Sequence, residues 1–193
     1  MSAGQAQAPR ATGALALVGF MGAGKSSIGR ATAQLLGLPF VDTDALIEQH
    51  HGAIPAIFAQ HGEQVFRELE RDEVVAALTR AQMQPCVVAL GGGAVLSAAV
   101  RDALAQLAHV VWLSAPQEVL WERVQQEGAA GRPLAADEQR FARLLAERSA
   151  LYAAVATAQV VTCNRSAADI AAEVALIAQG PPRATASREA RSA

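Results

Sequence analysis

Lysine is nearly absent from this chain: Lys25 is the one lysine among 193 residues, whereas arginine occurs 15 times. Because arginine fills every other cationic position, the compact ammonium group at position 25 indicates a site that requires it. Cysteine is also scarce, and Cys86 and Cys163 lie far apart with no metal-ligand spacing. These two cysteines predict reduced thiols of a cytoplasmic protein rather than a disulfide framework or a cysteine-bound metal.

Long apolar runs and a large net charge are missing as well. Because no apolar run approaches the length of a membrane-spanning segment, we expect no transmembrane helix. Residues 1–13 contain one arginine and no apolar segment, so we expect no signal peptide. A net charge of −2 predicts no general affinity for nucleic acid. We therefore expect a cytoplasmic protein without membrane or nucleic-acid partners. We also expect a monomer.

The chain does contain enough apolar sequence, 52% of its residues, for one folded domain. Residues 1–13 and 180–193 lack hydrophobic periodicity, which predicts disordered tails on either side of a single domain of residues 14–179. Within that domain, short apolar runs alternate with helical patterns. The runs are residues 14–18, 39–41, 86–90, 109–113 and 159–162. This alternation predicts an α/β fold of three layers, in which helices cover both faces of a parallel sheet.

The first apolar run leads into Gly19-Phe20-Met21-Gly22-Ala23-Gly24-Lys25-Ser26, which fits the phosphate-loop pattern G-x-x-x-x-G-K-[ST]. A helical pattern begins directly after this segment, so the loop has the strand–loop–helix context that the pattern requires. Glycines allow backbone N–H groups to surround phosphate oxygens, and the helix N-terminus adds positive potential. Lys25 is predicted to contact the terminal phosphates of a nucleotide, and Ser26 to bind a magnesium ion.

Two carboxylates follow the second predicted strand, in Asp42-Thr43-Asp44. Ligands of a parallel sheet gather at the carboxyl ends of its strands, where the phosphate loop also lies. Asp42 is therefore predicted to support the magnesium ion, while Asp44 can face a second ligand. The alternative is an Asx turn followed by a helix cap, with Thr43 or Asp44 as the capping residue.

Two further segments have both a functional and an ordinary interpretation. Arg67 and Glu70 lie three residues apart in a predicted helix. They form either an exposed surface pair or a guanidinium fork that Glu70 holds toward a substrate carboxylate. Gly91-Gly92-Gly93 follows the third predicted strand, and it permits either the close approach of a ligand to the backbone or only a turn.

Residues 127–134 form a glycine-bearing segment between two helical patterns, which predicts a lid at about residues 127–136. Helices are also predicted for Ala53–Gln60 and Glu63–Arg80, with a break at His61-Gly62. The histidines show no ligand-like partner set in the sequence, so none of them is assigned to chemistry. They are His50, His51, His61 and His109.

Taken in this order, the motifs resemble those of the shikimate kinase family over about residues 15–177. The resemblance rests on the phosphate loop, Phe40-Val41-Asp42-Thr43-Asp44, Ile54-Pro55-Ala56-Ile57-Phe58, Phe66-Arg67-Glu68-Leu69-Glu70, Gly91-Gly92-Gly93, Arg132-Pro133-Leu134 and Arg148-Ser149-Ala150-Leu151-Tyr152. It implies the nucleoside monophosphate kinase fold, with a five-stranded parallel sheet in the order 2-3-1-4-5. It also implies that the γ-phosphoryl group of ATP is transferred, with Mg²⁺, to the 3-hydroxyl of shikimate in aromatic amino acid biosynthesis.

The same resemblance implies a role for each matching residue. The catalytic residues would be Lys25, Asp44, which orients the attacking hydroxyl, and the lid arginine Arg132. The nucleotide would be bound by Gly22, Ala23, Gly24, Lys25, Ser26, Ser27, Arg132 and Arg123, the last stacked on adenine. The Mg²⁺ ion would be held by Ser26 and, through water, by Asp42. Shikimate would be bound by Asp44, Phe58, Phe66, Arg67, Gly91, Gly92, Gly93, Pro133, Leu134 and Arg148, with both arginines on its carboxylate.

Two features depart from the family pattern. The stretch from Arg123 to Arg132 is longer than is common in the family, so the adenine contact of Arg123 is the implied role that the resemblance supports least. Ala135 also stands where a second leucine is common. A kinase of the gluconate kinase type is the alternative enzyme, and the clamp of Arg67 with Arg148 is the feature that distinguishes the two. A non-catalytic ligand-sensing domain is a further alternative, although residues 1–13 are too few for a DNA-binding module.

Overall fold

The computed structural model describes residues 13–126 and 137–181, in which five strands alternate with seven helices. The strands are β1 (Leu15–Val18), β2 (Phe40–Asp42), β3 (Val87–Ala89), β4 (His109–Ser114) and β5 (Ala158–Val161). The helices are α1 (Lys25–Leu36), α2 (Thr43–His51), α3 (Ile54–Met83), α4 (Ala98–Leu104), α5 (Gln117–Gln126), α6 (Glu138–Val155) and α7 (Ala167–Gln179). A 3₁₀ turn, Ala94–Leu96, follows β3. The predicted tails, apart from residues 13, 180 and 181, and the predicted lid lie outside the described residues.

The five strands form one parallel sheet in the order β2-β3-β1-β4-β5, which confirms the predicted fold class and strand order. The central strand β1 pairs with β3 on one side and β4 on the other, so that Leu15 lies opposite both Val87 and His109. All four residues of β1 are buried. A strand covered on both faces is expected to be apolar throughout, which explains its unbroken apolar sequence.

Helices pack around this sheet, with α1 against α7, α3 against α4, and α5 against α6. The buried ring of Phe141 in α6 meets the rings of Phe20 and Trp121 edge-on, at centroid distances of 4.9 and 5.1 Å. Because Phe20 belongs to the phosphate loop, this aromatic packing anchors that loop to the core. Among the described helices, none combines the length and the apolar character that crossing a bilayer would require.

The predicted break at His61-Gly62 is confirmed as a bend within α3. Gly62 has φ +81° and ψ 173°, far from helical values, while the helix continues on either side of it to Met83. Glycine adopts this backbone conformation without the steric cost that a Cβ brings. The bend separates a first segment, which carries Phe58, from a second segment, which carries Arg67 and Glu70. Helix α2 packs against α3, so these two helices form a unit beside the sheet.

Candidate active site

A cleft of about 850 Å³ lies where the segments that follow β1, β2 and β3 come together. The structure gathers most of the predicted site residues around this cleft. They are Gly22, Gly24, Lys25, Ser26, Ser27, Asp42, Asp44, Phe58, Phe66, Arg67, Gly92, Gly93 and Arg148. Three predicted polar segments from different parts of the chain therefore meet at one edge of the sheet, as the strand alternation indicated.

The phosphate loop is tightly folded against helix α5. Gly22 has φ +77°, and a Cβ placed there would lie 2.7 Å from the carbonyl oxygen of Leu120, so glycine is required at this position. The Nζ atom of Lys25 donates a hydrogen bond of 3.0 Å to the carbonyl oxygen of Phe20. The lysine is thus held within its own loop, where it begins helix α1 and borders the cleft. A loop of this shape beside a helix N-terminus fits a phosphate group.

A hydroxyl and a carboxylate lie side by side at the edge of this loop. The Oγ atom of Ser26 donates to Oδ2 of Asp42 at 2.6 Å, which places two oxygen ligands next to each other, as a magnesium ion requires. The Oδ1 atom of Asp42 accepts hydrogen bonds from the backbone N–H groups of Asp44 and Ala45, and so caps helix α2. The helix cap that the alternative interpretation assigned to Thr43 or Asp44 is thus formed by Asp42. Capping and the proximity to Ser26 are compatible because they use different oxygens of one carboxylate.

Arg67 and Glu70 form a pair in which the glutamate is buried and the arginine is partly buried, rather than an exposed surface pair. The Nη1 atom of Arg67 donates to Oε2 of Glu70 at 2.7 Å, and Glu70 is 3% exposed. The second guanidinium nitrogen, Nη2, donates to the exposed Glu63 at 3.1 Å. Burial opposes the charge of Arg67, but its contacts with Glu70 and Glu63 outweigh this effect and raise its pKa further. The guanidinium is therefore fully charged and fixed at the wall of the cleft.

Glu70 interacts electrostatically with charged side chains of both signs at this wall of the cleft. Burial raises the pKa of its carboxyl group, and the negative charge of Asp44 adds to that rise. Arg67 and Arg148 act in the opposite direction and stabilise the ionised form. The contacts agree with this: Glu70 bonds Arg67, Asp44 and Glu70 both lie beside Gly91, and Arg148 donates to the adjacent Gly92, so these four side chains form one cluster.

Two of the three glycines after β3 make room for the side chains of this cluster. A Cβ at Gly91 would overlap the carboxylate of Asp44, and a Cβ at Gly93 would overlap the guanidinium of Arg67. The close approach that the sequence suggested is thus made by two side chains of the site itself. The N–H group of Gly91 donates to the hydroxyl of Thr43 at 3.0 Å, which ties this turn to the start of α2.

Arg148 reaches the same turn from helix α6. Its Nη1 atom donates to the carbonyl oxygen of Gly92 at 3.3 Å, and the hydroxyl of Tyr152 donates to that oxygen at 2.6 Å. Arg148 is 4% exposed, and its buried Nε atom has no hydrogen-bond partner among the described residues. Buried donors are normally paired, so an unpaired guanidinium donor at the wall of a cleft fits a bound anion.

Some predicted residues lie elsewhere. Ala23 is buried within the phosphate loop, and Gly91 and Arg123 are absent from the lining of the cleft. The guanidinium of Arg123 donates to the carbonyl oxygen of Gly22 and to both oxygens of Thr162 after β5, at 2.8 to 3.2 Å. Three predicted site residues, Arg132, Pro133 and Leu134, lie outside the described residues.

The cleft also contains residues that sequence reasoning did not select. They are Met21, Glu48, Ala53, Ile54, Pro55, Glu63, Leu90 and Arg140. The apolar members lie within or directly beside the motifs described above, so their position in the sequence was a usable signal. No such signal marked Arg140, which lies in helix α6. The interpretation of the histidines was also incomplete, since His50 and His51 both contact Glu73.

The strand order 2-3-1-4-5, with a phosphate loop after the central strand, defines an α/β phosphotransferase of the nucleoside monophosphate kinase type. Comparison with known proteins narrows this class. The family model described as shikimate kinase matches residues 21–178. A shikimate kinase from Symbiobacterium thermophilum is 43% identical over 164 residues, which cover 83% of this chain and 92% of that protein.

Solved structures agree with the sequence comparison. A shikimate kinase from Acinetobacter baumannii in complex with shikimate is similar, with a TM-score of 0.78, 37% identity and coverage of 84% of this chain and 90% of that one. A gluconokinase from Sinorhizobium meliloti is similar with a TM-score of 0.63, 25% identity and coverage of 88% and 93%. The chain belongs to the shikimate kinase family, and it is a kinase.

Proposed function

We propose that this protein transfers the γ-phosphoryl group of ATP to the 3-hydroxyl of shikimate, giving ADP and shikimate 3-phosphate. The observation that carries the proposal is the cluster of Arg67, Arg148 and Asp44 in the same cleft as the phosphate loop. Two guanidinium groups suit the carboxylate of the acceptor, while a carboxylate suits its hydroxyl groups. We further propose that the enzyme acts as a cytoplasmic monomer in aromatic amino acid biosynthesis.

The residues around the phosphate loop fit the nucleotide and its metal ion. Lys25 would leave the carbonyl oxygen of Phe20 and contact the β- and γ-phosphates, while backbone N–H groups from Gly22 to Ser27 would bind the remaining oxygens. Ser26 and Asp42 would hold Mg²⁺, Ser26 directly and Asp42 through water. A bound Mg²⁺ would neutralise charge that develops between the β- and γ-phosphates.

The acceptor would bind on the other side of the cleft. Arg67 and Arg148 would hold its carboxylate, together with the backbone N–H groups of Gly92 and Gly93, and Gly91 would support the same turn. The rings of Phe58 and Phe66, whose centroids are 4.5 Å apart, would form one wall against the acceptor ring. Asp44 would accept a hydrogen bond from the attacking hydroxyl and fix its direction.

Three residues outside the described ranges complete the proposal. Arg132 would contact the transferring phosphoryl group, and Pro133 and Leu134 would pack against the acceptor.

Arg123 would present a flat face of its guanidinium to adenine. This role is compatible with its observed hydrogen bonds to Gly22 and Thr162, because those bonds use the edge of the group and leave its faces available.

A coupled assay of ADP release tests the proposal with three reactions: shikimate, gluconate and no acceptor. We expect turnover only with shikimate. The reaction without acceptor measures background ATP hydrolysis, which is subtracted from the other two rates. The assay is repeated at several Mg²⁺ concentrations. Faster turnover with gluconate would favour the gluconate kinase type instead, which the structural similarity to a gluconokinase makes the relevant comparison. Nucleotide binding without turnover of either acceptor would favour a ligand-sensing domain.

Replacing Arg148 with methionine is expected to weaken shikimate binding by about 2–4 kcal/mol, because the carboxylate loses a desolvated, charge-assisted partner. Methionine preserves much of the length of the side chain, which limits the cavity. ATP binding should change little. The measurement is calorimetric titration of both ligands, with Arg143→Met as the matched control on the exposed side of the same helix. Unchanged shikimate affinity in a folded Arg148→Met protein would contradict the carboxylate clamp.

Replacing Glu70 with glutamine is expected to raise the KM for shikimate about tenfold, with little change in the KM for ATP. The amide preserves the shape of Glu70 but loses the ion pair that orients Arg67. A hydrogen bond between charged groups contributes about 1.5–3 kcal/mol to the stability of such an arrangement. Stability should fall as well, because removal of one partner from a buried ion pair leaves the charge of the other less compensated, so a thermal melt accompanies the kinetics.

Glu63→Gln is the matched control, because Glu63 contacts the same guanidinium but is 61% exposed. An exposed pair of this kind contributes about 0–1 kcal/mol, so this variant should resemble the parent. Equal KM values for the two variants would show that Glu70 does not position Arg67.

A further inference from the structure

Two histidines at the end of helix α2 meet a glutamate of helix α3, away from the cleft. The Nδ1 atom of His50 lies 2.8 Å from Oε1 of Glu73, and the Nε2 atom of His51 lies 3.0 Å from the same oxygen. The ligand atoms of the three residues all lie within 4.8 Å of one another. Within residues 13–126 and 137–181, no other group of three histidine, cysteine or acidic side chains meets that criterion.

We propose that these residues bind one divalent transition-metal ion, with Zn²⁺ as the preferred occupant. Two imidazole nitrogens and one carboxylate form a ligand set suited to Zn²⁺, and solvent can complete a fourth position. The side chains of His50 and His51 are 46% and 32% exposed, so an ion can reach the ligands from water.

The observed spacing is close to what the ion requires. Zn²⁺ binds nitrogen and oxygen ligands at about 2.0–2.2 Å, so two ligands of a tetrahedral ion lie about 3.3 Å apart. The histidine nitrogens lie 2.8 and 3.0 Å from the glutamate oxygen. Each nitrogen–oxygen pair therefore needs to separate by only a few tenths of an ångström, and the two histidine nitrogens already lie within 4.8 Å of each other. Small rotations of these side chains can supply the adjustment.

The local fold explains how two neighbouring residues reach one point. Successive side chains of a helix diverge by about 100°, and so His50 and His51 would normally face different directions. His50 presents the near ring nitrogen, Nδ1, whereas His51 presents the far one, Nε2, and this difference in reach lets both meet Glu73. The two histidines also occupy the last turn of α2, where the partial negative charge of the helix end favours a cation.

The ordinary alternative is a pair of hydrogen bonds between surface histidines and a glutamate, without an ion. Such contacts are common, and an exposed pair contributes about 0–1 kcal/mol. The two interpretations differ in what they predict for added metal. Only the metal site predicts tight binding of one Zn²⁺ ion that depends on all three side chains.

The test uses the full chain without an affinity tag, since a polyhistidine tag would itself bind metal. Zn²⁺ is titrated in competition with a chromogenic chelator, in the parent and in His50→Asn, His51→Asn and Glu73→Gln variants. His61→Asn is the matched control, because His61 is another exposed histidine of the same helical unit and lies outside the cluster. Co²⁺ serves as a spectroscopic probe, because coordination by Cys86 or Cys163 would add an intense thiolate band.

We expect one Zn²⁺ ion per chain and a loss of affinity of about 100-fold or more for each cluster variant, because even supporting residues around a metal cost 10–100-fold. The His61→Asn variant should bind as the parent does, and the Co²⁺ spectrum should lack a thiolate band. Saturating Zn²⁺ should also raise the Tm of the parent but not of the cluster variants.

Equal Zn²⁺ affinity of the parent and the cluster variants would overturn the proposal, as would a thiolate band or the absence of binding. None of these measurements depends on turnover, so the result is independent of the proposed kinase reaction.

Discussion

Replacing Lys25 with alanine is expected to reduce kcat by about 10³-fold while leaving the fold intact. Its ammonium group would supply the point charge at the β- and γ-phosphates, and phosphoryl transfer depends almost entirely on positioning and charge stabilisation. The loop itself should persist, because Phe20 remains anchored by Phe141 and the glycines keep their conformations. Steady-state kinetics with a thermal melt of the variant measures both parts of this expectation.

Lys25→Arg provides the sharper control. Arginine is the cation that this chain uses at every other position, yet its broad planar fork does not reproduce the compact ammonium group. We therefore expect Lys25→Arg to remain strongly impaired although the formal charge is preserved. Turnover of Lys25→Ala within about tenfold of the parent would show that the loop is not catalytic, since removal of one such stabilising group costs more.

The single lysine also allows a direct chemical measurement. An amine-reactive ester can modify only Lys25 and the N-terminal amino group of the chain, and peptide mass spectrometry separates these two products. ATP with Mg²⁺ should protect Lys25 and leave the N-terminus unprotected. Equal modification of Lys25 with and without nucleotide would contradict its placement against the phosphates.

The sequence predicted the sheet and the phosphate loop well because both leave strong local patterns. A strand buried on both faces must be apolar throughout, and β1 is, while a phosphate loop needs glycines and a lysine at fixed spacing. The strand order came from the resemblance to a family, because apolar runs alone do not state which strands are neighbours. The comparisons and the observed sheet then confirmed both the family and the order.

Features that depend on contacts between distant segments could not be predicted in this way. The spacing of Arg67 and Glu70 is the same whether the pair is exposed or buried, and only the packing of α3 beside the turn at Gly93 decides it. The cluster of His50, His51 and Glu73 joins residues 22 and 23 positions apart through the contact of two helices. A pattern of neighbouring residues in the sequence does not predict such contacts.

Asp44→Asn is expected to lower kcat for the proposed reaction with shikimate by about 10²–10³-fold, because in our proposal the carboxylate would accept the hydroxyl proton and fix the attacking oxygen. The substitution is nearly isosteric, so the tight packing of this side chain against Gly91 should be preserved. The KM for ATP should change little. The measurement is a full kinetic analysis in both substrates, at several Mg²⁺ concentrations.

Asp42→Asn separates the two carboxylates that the sequence places only two residues apart. Asp42 contacts Ser26 and caps α2, so its variant should require more Mg²⁺, while its stability should stay near that of the parent because asparagine caps a helix about as well as aspartate. Asp44→Asn should not raise the Mg²⁺ requirement, because its expected defect lies in the chemical step with the acceptor. If Asp44→Asn instead restored normal kcat at high Mg²⁺, Asp44 would belong to the metal site, and the acceptor hydroxyl would have to be oriented by another group.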